Sequence, residues 1–318
     1  PLAWIGVITA QIIAGAKIIA GLEIVDYYRS ALITGIVFIV YTVAGGQISV
    51  LKTDKIQAIL IIAGVVILTL FALMSPDSSK IPELKTDALF NEHFSVTDLV
   101  ILILTYSVTF VVGPDIYSRI FCAKDEKTAT RSVLIVAILL LPVSLMLTFI
   151  GVFSGDAENH EILLFAHTLM PSWSYGLFLA ALLSAVMSSA DTTLLNSSLI
   201  ISELIYSNSD NKKSIAVTRL IIIIMGALSI ILALFVKSIM QSLLTSLAFF
   251  SGAFVIPVLA ALLNINTSKK YVMTAIACGG VIALAGKLIN LFSYPVTGNI
   301  IIICAFIVNG LILFIPSK

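Results

Sequence analysis

The chain has 318 residues, of which 59% are hydrophobic and only 11% charged, with a net charge of +1 and a mean hydropathy of +1.13. A soluble domain is nearer half apolar and a quarter charged, so this composition describes a polytopic membrane protein. The near-neutral balance leaves no electrostatic footprint for nucleic acid.

Cys122, Cys278 and Cys304 lie far apart with no CxxC pair, so neither a disulfide framework nor a zinc site is expected. His93, His160 and His167 fall in or beside connections. No HExxH, GxSxG or Walker A pattern occurs, and no enzyme site is expected.

A spanning helix takes ~20 mostly apolar residues. Ten segments qualify in chain order: 2–22, 31–50, 54–74, 98–121, 128–153, 174–206, 214–236, 239–263, 269–290 and 295–316. They are too long for strands and lack polar alternation, so the expected fold is all-α. The chain opens at Pro1 inside an apolar run, which reads as a piece of a longer protein. If the first helix runs from inside to outside, twelve of the 18 Lys and Arg fall inside, five fall outside, and Lys17 lies within a helix. That bias sets the expected orientation.

The first helix carries Gln11, a candidate pore-facing group, and Lys17, a lone cation that either snorkels or acts on solute. Next comes YTVAGGQISVLKTDKIQ (41–57), in which Asp54 at the head of the third segment reads as an ordinary N-cap. In LTYSVTFVVGPDIYSRIFCAKDEKTATR (104–131), Gly113-Pro114 breaks the helix, with Tyr106 and Phe110 one turn apart on the approach. Unwound backbone in a membrane is tolerated where it is buried or lines a cavity, and transporters bind at such breaks. Asp115 and Arg119, four apart, have the spacing of an ion pair.

SAVMSSADTT (184–193) places hydroxyls and a carboxylate in mid-helix. Ala185, Ser188, Ser189 and Thr192 are three or four apart and share a face. A cation stripped of water needs several oxygens, which such a stripe supplies. Small-residue packing between helices accounts for the serines equally well. Asp191 tips the balance, because an acid inside a membrane is costly and usually lines an ion path.

These stretches, with LFLAALLSAVMSSADTTLLNSSLIISELIY (177–206), resemble the sodium:solute symporter family, which includes sodium/proline and sodium/glucose symporters. The resemblance implies a leucine-transporter-like inverted five-helix repeat, N-terminally incomplete, with sodium and solute near the midplane. On it, 1–74 resembles core helices three to five, 98–263 the second five-helix repeat, and 269–318 two additional helices, all in one transmembrane domain. Ser188 and Ser189 match the family's paired hydroxyl sodium ligands, and Ala185 matches its carbonyl ligand. Asp54, with Asp191 and Thr192, matches a second sodium site present in some members; an aspartate at 191 leaves that second ion open, or a proton in its place. Tyr106, Phe110, Gly113, Gln11 and Lys17 are the candidate solute-binding residues.

The implied activity is sodium-coupled import of a small organic solute, an amino acid or carboxylate, by alternating access. Sodium is the coupling ion, no other cofactor is involved, and the setting is a bacterial or archaeal plasma membrane. Three other readings stay open: a symporter-like sensor module of a signalling protein, a proton-coupled transporter, and an inert remnant.

Overall fold

A computed structural model describes residues 2–75, 90, 94–154, 162–205, 211–291 and 295–314, so His93 and His160 lie outside the described residues. Among these residues the elements are α-helical apart from one π-helical turn. They are α1 (Leu2–Ala20), α2 (Tyr27–Met74), α3 (Val96–Leu102), the π turn (Ile103–Ser107), α4 (Val108–Val112), α5 (Pro114–Ile120) and α6 (Glu126–Phe153). There follow α7 (Ile162–Leu169), α8 (Ser172–Ile205), α9 (Asn211–Phe235), α10 (Ile239–Leu262), α11 (Lys269–Leu291) and α12 (Pro295–Leu313). Among the described residues, ten apolar helical runs are long enough to cross a membrane. The chain is an all-α, integral, multi-pass membrane protein.

Local chemistry sets several helix ends. Asp26 caps α2 by accepting from the Arg29 amide, Ser95 and Asp98 form a capping box on α3, and Asp125 caps α6 through Thr128. The α4–α5 break falls at Gly113-Pro114 as expected, with Gly113 extended at φ −72°, ψ 133°.

Two expectations change. The segments expected at 31–50 and 54–74 meet inside the α2 run, whose one non-helical residue is Gly46 (φ 61°, ψ −176°). Twelve residues of straight helix would separate Tyr41 from Thr53 by about 18 Å. Their hydroxyls instead lie 2.6 Å apart, so the run bends sharply at Gly46, in a conformation essentially reserved for glycine. Asp54 therefore sits within a helix, not at its head, and the N-cap reading is withdrawn. The short α7 was not expected, because its eight residues fall below the length of a spanning run.

The chain divides into two compact units. One comprises Pro1–Ala10, Lys85–Tyr117 and Ser238–Lys318; the other comprises Gln11–Leu84 and Ser118–Lys237. In the first, α10 packs on α11, α12, α4 and the π turn, and α12 packs on α3. In the second, α2 packs on α8, α9, α6 and α7. Small residues permit that closeness: a Cβ at Gly64 would lie 2.3 Å from the Ala181 methyl, and one at Gly226 2.3 Å from Ile39. Val65, Leu68, Ile150, Ala166, Met170 and Phe178 join α2, α6, α7 and α8 in one apolar cluster. Along α6, side chains such as Leu141 and Leu145 stay exposed. In a bilayer that face meets hydrocarbon at no cost.

Candidate ion and solute site

The second unit is built around α8. Residues 190–198 of this helix are all buried, although they include Asp191, Thr192, Thr193, Asn196, Ser197 and Ser198. Buried polar groups need partners, and many of these find them on their own helix. Thr192 donates to the Ser188 carbonyl at 2.9 Å, Thr193 to the Ser189 carbonyl at 2.6 Å and Ser197 to the Thr193 carbonyl at 2.6 Å.

Other polar groups of α8 are met by α1, α2 and α5, and Ser198 by Met225 of α9. Ser188 Oγ donates to Asp54 Oδ1 at 2.6 Å. Gln11 Nε2 donates to Ser189 Oγ at 3.1 Å. Thr42 Oγ1, fully buried on α2, lies 3.0 Å from Asp191 Oδ1 and 2.8 Å from the Phe38 carbonyl. Arg119 Nη2 reaches past its own helix to Asp54 Oδ2 at 2.8 Å and Thr192 Oγ1 at 2.9 Å.

Six expected site residues, Gln11, Asp54, Ser188, Ser189, Asp191 and Thr192, thus sit in one polar seam, with Ala185 partly buried one turn earlier on α8. The chemistry suits a small cation. Ser188 commits its hydrogen to Asp54, so its oxygen can act only as an acceptor, and the Asp54 carboxylate is shared with Arg119.

Lys17 takes a different place. It is half-buried in the last turn of α1 and lines a cavity of about 490 Å³ with Ala20, Gly21, Tyr27 and Lys237. The Lys237 ammonium lies over the Tyr28 ring at 4.8 Å from its centroid, and Tyr27 donates to the Ala233 carbonyl at 2.8 Å.

Tyr106, Phe110 and Gly113 belong to the first unit. Tyr106 lies in the π turn, a feature that recurs at functional sites. Thr105 returns a hydrogen bond to the Ile101 carbonyl at 2.6 Å, and Thr109 does the same to the Thr105 carbonyl. Phe110 is 65% exposed, so it faces outward within its unit. Just past the break, Asp115 accepts the Trp4 indole N–H, 3.1 Å from Oδ2, and Trp4 packs edge-on against Phe250.

Sequence reasoning missed the roles of Thr42, Arg119 and Trp4. The Thr42 partner lies 149 positions away, and Arg119 has an acid four residues back that draws the eye first. The resemblance paired the "TD" and "SSADTT" pieces, but the residues alone gave no sign that Arg119 and Thr42 join them.

The chain thus gathers carboxylate, hydroxyl and guanidinium groups between the helices of a many-spanning membrane protein. This chain belongs to the sodium:solute symporter family, whose profile matches residues 2–279. It is 28% identical to a sodium/pantothenate symporter of Haemophilus influenzae over 73% of this chain and 52% of the relative. It is 27% identical to a sodium/proline symporter of the same organism over 70% and 50%. A sodium/pantothenate symporter of Escherichia coli is 25% identical over 97% of this chain and 69% of its own length. The chain thus spans about half the length of the first two of these relatives. A solved Na+-coupled sialic acid symporter, in a substrate-bound outward-open state, superposes with a TM-score of 0.73 at 20% identity. That match covers all of this chain and 75% of the other, and the shared fold is leucine-transporter-like.

Proposed function

We propose that the protein is a sodium-coupled symporter that imports a small organic solute, an amino acid or a carboxylate, across a bacterial or archaeal plasma membrane by alternating access. The relatives named above carry pantothenate and proline, and they are bacterial. The observation that carries the reading is the adjacent pair Ser188 and Ser189, each tied to a polar side chain of another helix inside the second unit. In this reading the Ser188 and Ser189 hydroxyls and the Ala185 carbonyl face the sodium ion. Its remaining ligands come from the broken first core helix of the family's fold.

Residues 1–74 then take the part of core helices three to five, 98–263 the second repeat and 269–318 the additional helices. Tyr106, Phe110 and the Gly113 break line the solute path, with Gln11 steadying Ser189. Sodium binding closes the contacts of α8 and favours the solute-competent state, and loss of sodium to the inside releases both. Each charge moved across 100 mV contributes about 2.3 kcal/mol.

The test is sodium-dependent uptake by Ser188→Ala and Ser189→Ala variants of the intact protein. Loss of one oxygen ligand should raise the sodium concentration for half-maximal uptake about tenfold or more. An unchanged sodium dependence in both would remove the ligand assignment.

A further inference from the structure

Arg119 stands where a second cation would stand. Its Nη2 lies 2.8 Å from Asp54 Oδ2 and 2.9 Å from Thr192 Oγ1, two of the oxygens that any ion at this end of the seam would need. A guanidinium that donates to these oxygens takes up lone pairs that a sodium ion would need, and two cations on one carboxylate repel each other.

The two partners differ in freedom. The Arg119 side chain is 45% exposed and that of Asp54 only 17%. A guanidinium on a long stem withdraws into water readily, whereas the carboxylate is fixed within its helix. Beside the pair lies a cavity of about 20 Å³ whose polar lining is Gln47, Asp54, Ser118, Arg119, Thr192 and Asn196. A single water needs about 10–15 Å³, so the space takes one particle of that size. A cation there would meet the Asp54 carboxylate and the Thr192 hydroxyl directly once the arginine had left.

We propose that Arg119 is a tethered cation that occupies the Asp54–Thr192 site, and that a second sodium ion binds there only by displacing it. Guanidinium and ion alternate on one carboxylate, and the affinity for the second ion is set by how firmly Arg119 holds. The proposal rests on the sodium-coupled reading above. It makes Arg119 a positioning and specificity-determining residue, since it acts on sodium through Asp54.

The experiment is equilibrium binding of radioactive sodium to the purified intact protein, without transport. The expected wild-type result is one tight class of sodium and a second, weak one. Arg119→Met should tighten the second class by about tenfold or more by removing the competing charge, and adding Asp54→Asn should abolish that class. An unchanged second class in Arg119→Met would overturn the proposal while leaving the sodium-coupled reading intact. Wild-type protein that binds no sodium would instead overturn that reading itself.

A second measurement needs no variant. Sodium, but not potassium or choline, should increase phenylglyoxal modification of Arg119 in the wild-type protein, located by peptide mass spectrometry. Modification that sodium leaves unchanged or lowers would refute the displacement.

Discussion

Ser188 Oγ donates to Asp54 Oδ1 at 2.6 Å across 134 positions of sequence, joining the middle of α8 to the second half of α2. Thr192, one turn further along α8, shares Arg119 with the same carboxylate. Asp54 is therefore bonded to two side chains, Ser188 and Arg119, and linked through the second to Thr192. Hydrogen bonds to a charged group contribute about 1.5–3 kcal/mol each, and residues in one network couple. Thermal unfolding of Ser188→Ala, Asp54→Asn and the double variant should give a coupling energy of about 1–2 kcal/mol. Additive effects would mean that the Ser188–Asp54 bond contributes nothing to stability.

Gln11 offers a subtler test. Its amide donates to Ser189 Oγ at 3.1 Å and fixes where that hydroxyl's remaining lone pair points. Gln11→Leu removes one neutral hydrogen bond, so the sodium concentration for half-maximal uptake should rise about 2–10-fold while the maximal rate changes less. Uptake titrated against sodium at saturating solute reads both quantities. A fall in maximal rate alone would place Gln11 in the rocking step instead.

Gly46 is the bend of α2. An added Cβ would meet nothing within 4 Å, so a larger residue there is penalised by backbone conformation alone. At φ 61°, ψ −176° that penalty is about 1–3 kcal/mol. Gly46→Ala should lower the unfolding temperature measurably in detergent. A neutral result would show that the bend relaxes into an ordinary connection.

The first unit carries its own polar repair. Pro257 lies inside α10 and has no N–H to give the carbonyl four residues back, that of Ala253. Asn309, fully buried on α12, donates to that carbonyl at 3.0 Å and to the Gly252 carbonyl at 2.7 Å. Asn309→Leu should cost about 1–2 kcal/mol, and the cost should shrink in a Pro257→Ala background, where the helix supplies its own donor. Thermal melts of the two singles and the double decide it, and equal costs in both backgrounds would reject the repair.

The spans were legible because a bilayer demands long apolar runs, and ten such runs leave little choice of fold. The break at Gly113-Pro114 was legible because proline chemistry is local. The place of Asp54 within its helix was not: Thr-Asp before an apolar run has the look of a cap, and only Gly46, eight positions earlier, shows that the helix has already begun. Arg119 failed differently. The partner four residues away on α5 is a local signal, while Asp54 and Thr192 are brought to it by the packing of α2 and α8, which periodicity does not encode. The oxygens of the seam could be picked from the sequence, but the cation already resting on them could not.

The most direct test of sodium-coupled symport is uptake into proteoliposomes containing the intact protein, with a panel of labelled amino acids, small carboxylates and sugars. The account predicts that one amino acid or carboxylate accumulates above its outside concentration under an inward sodium gradient, and not when potassium replaces sodium. Accumulation of no solute by folded protein, or accumulation driven equally well without sodium, would contradict it.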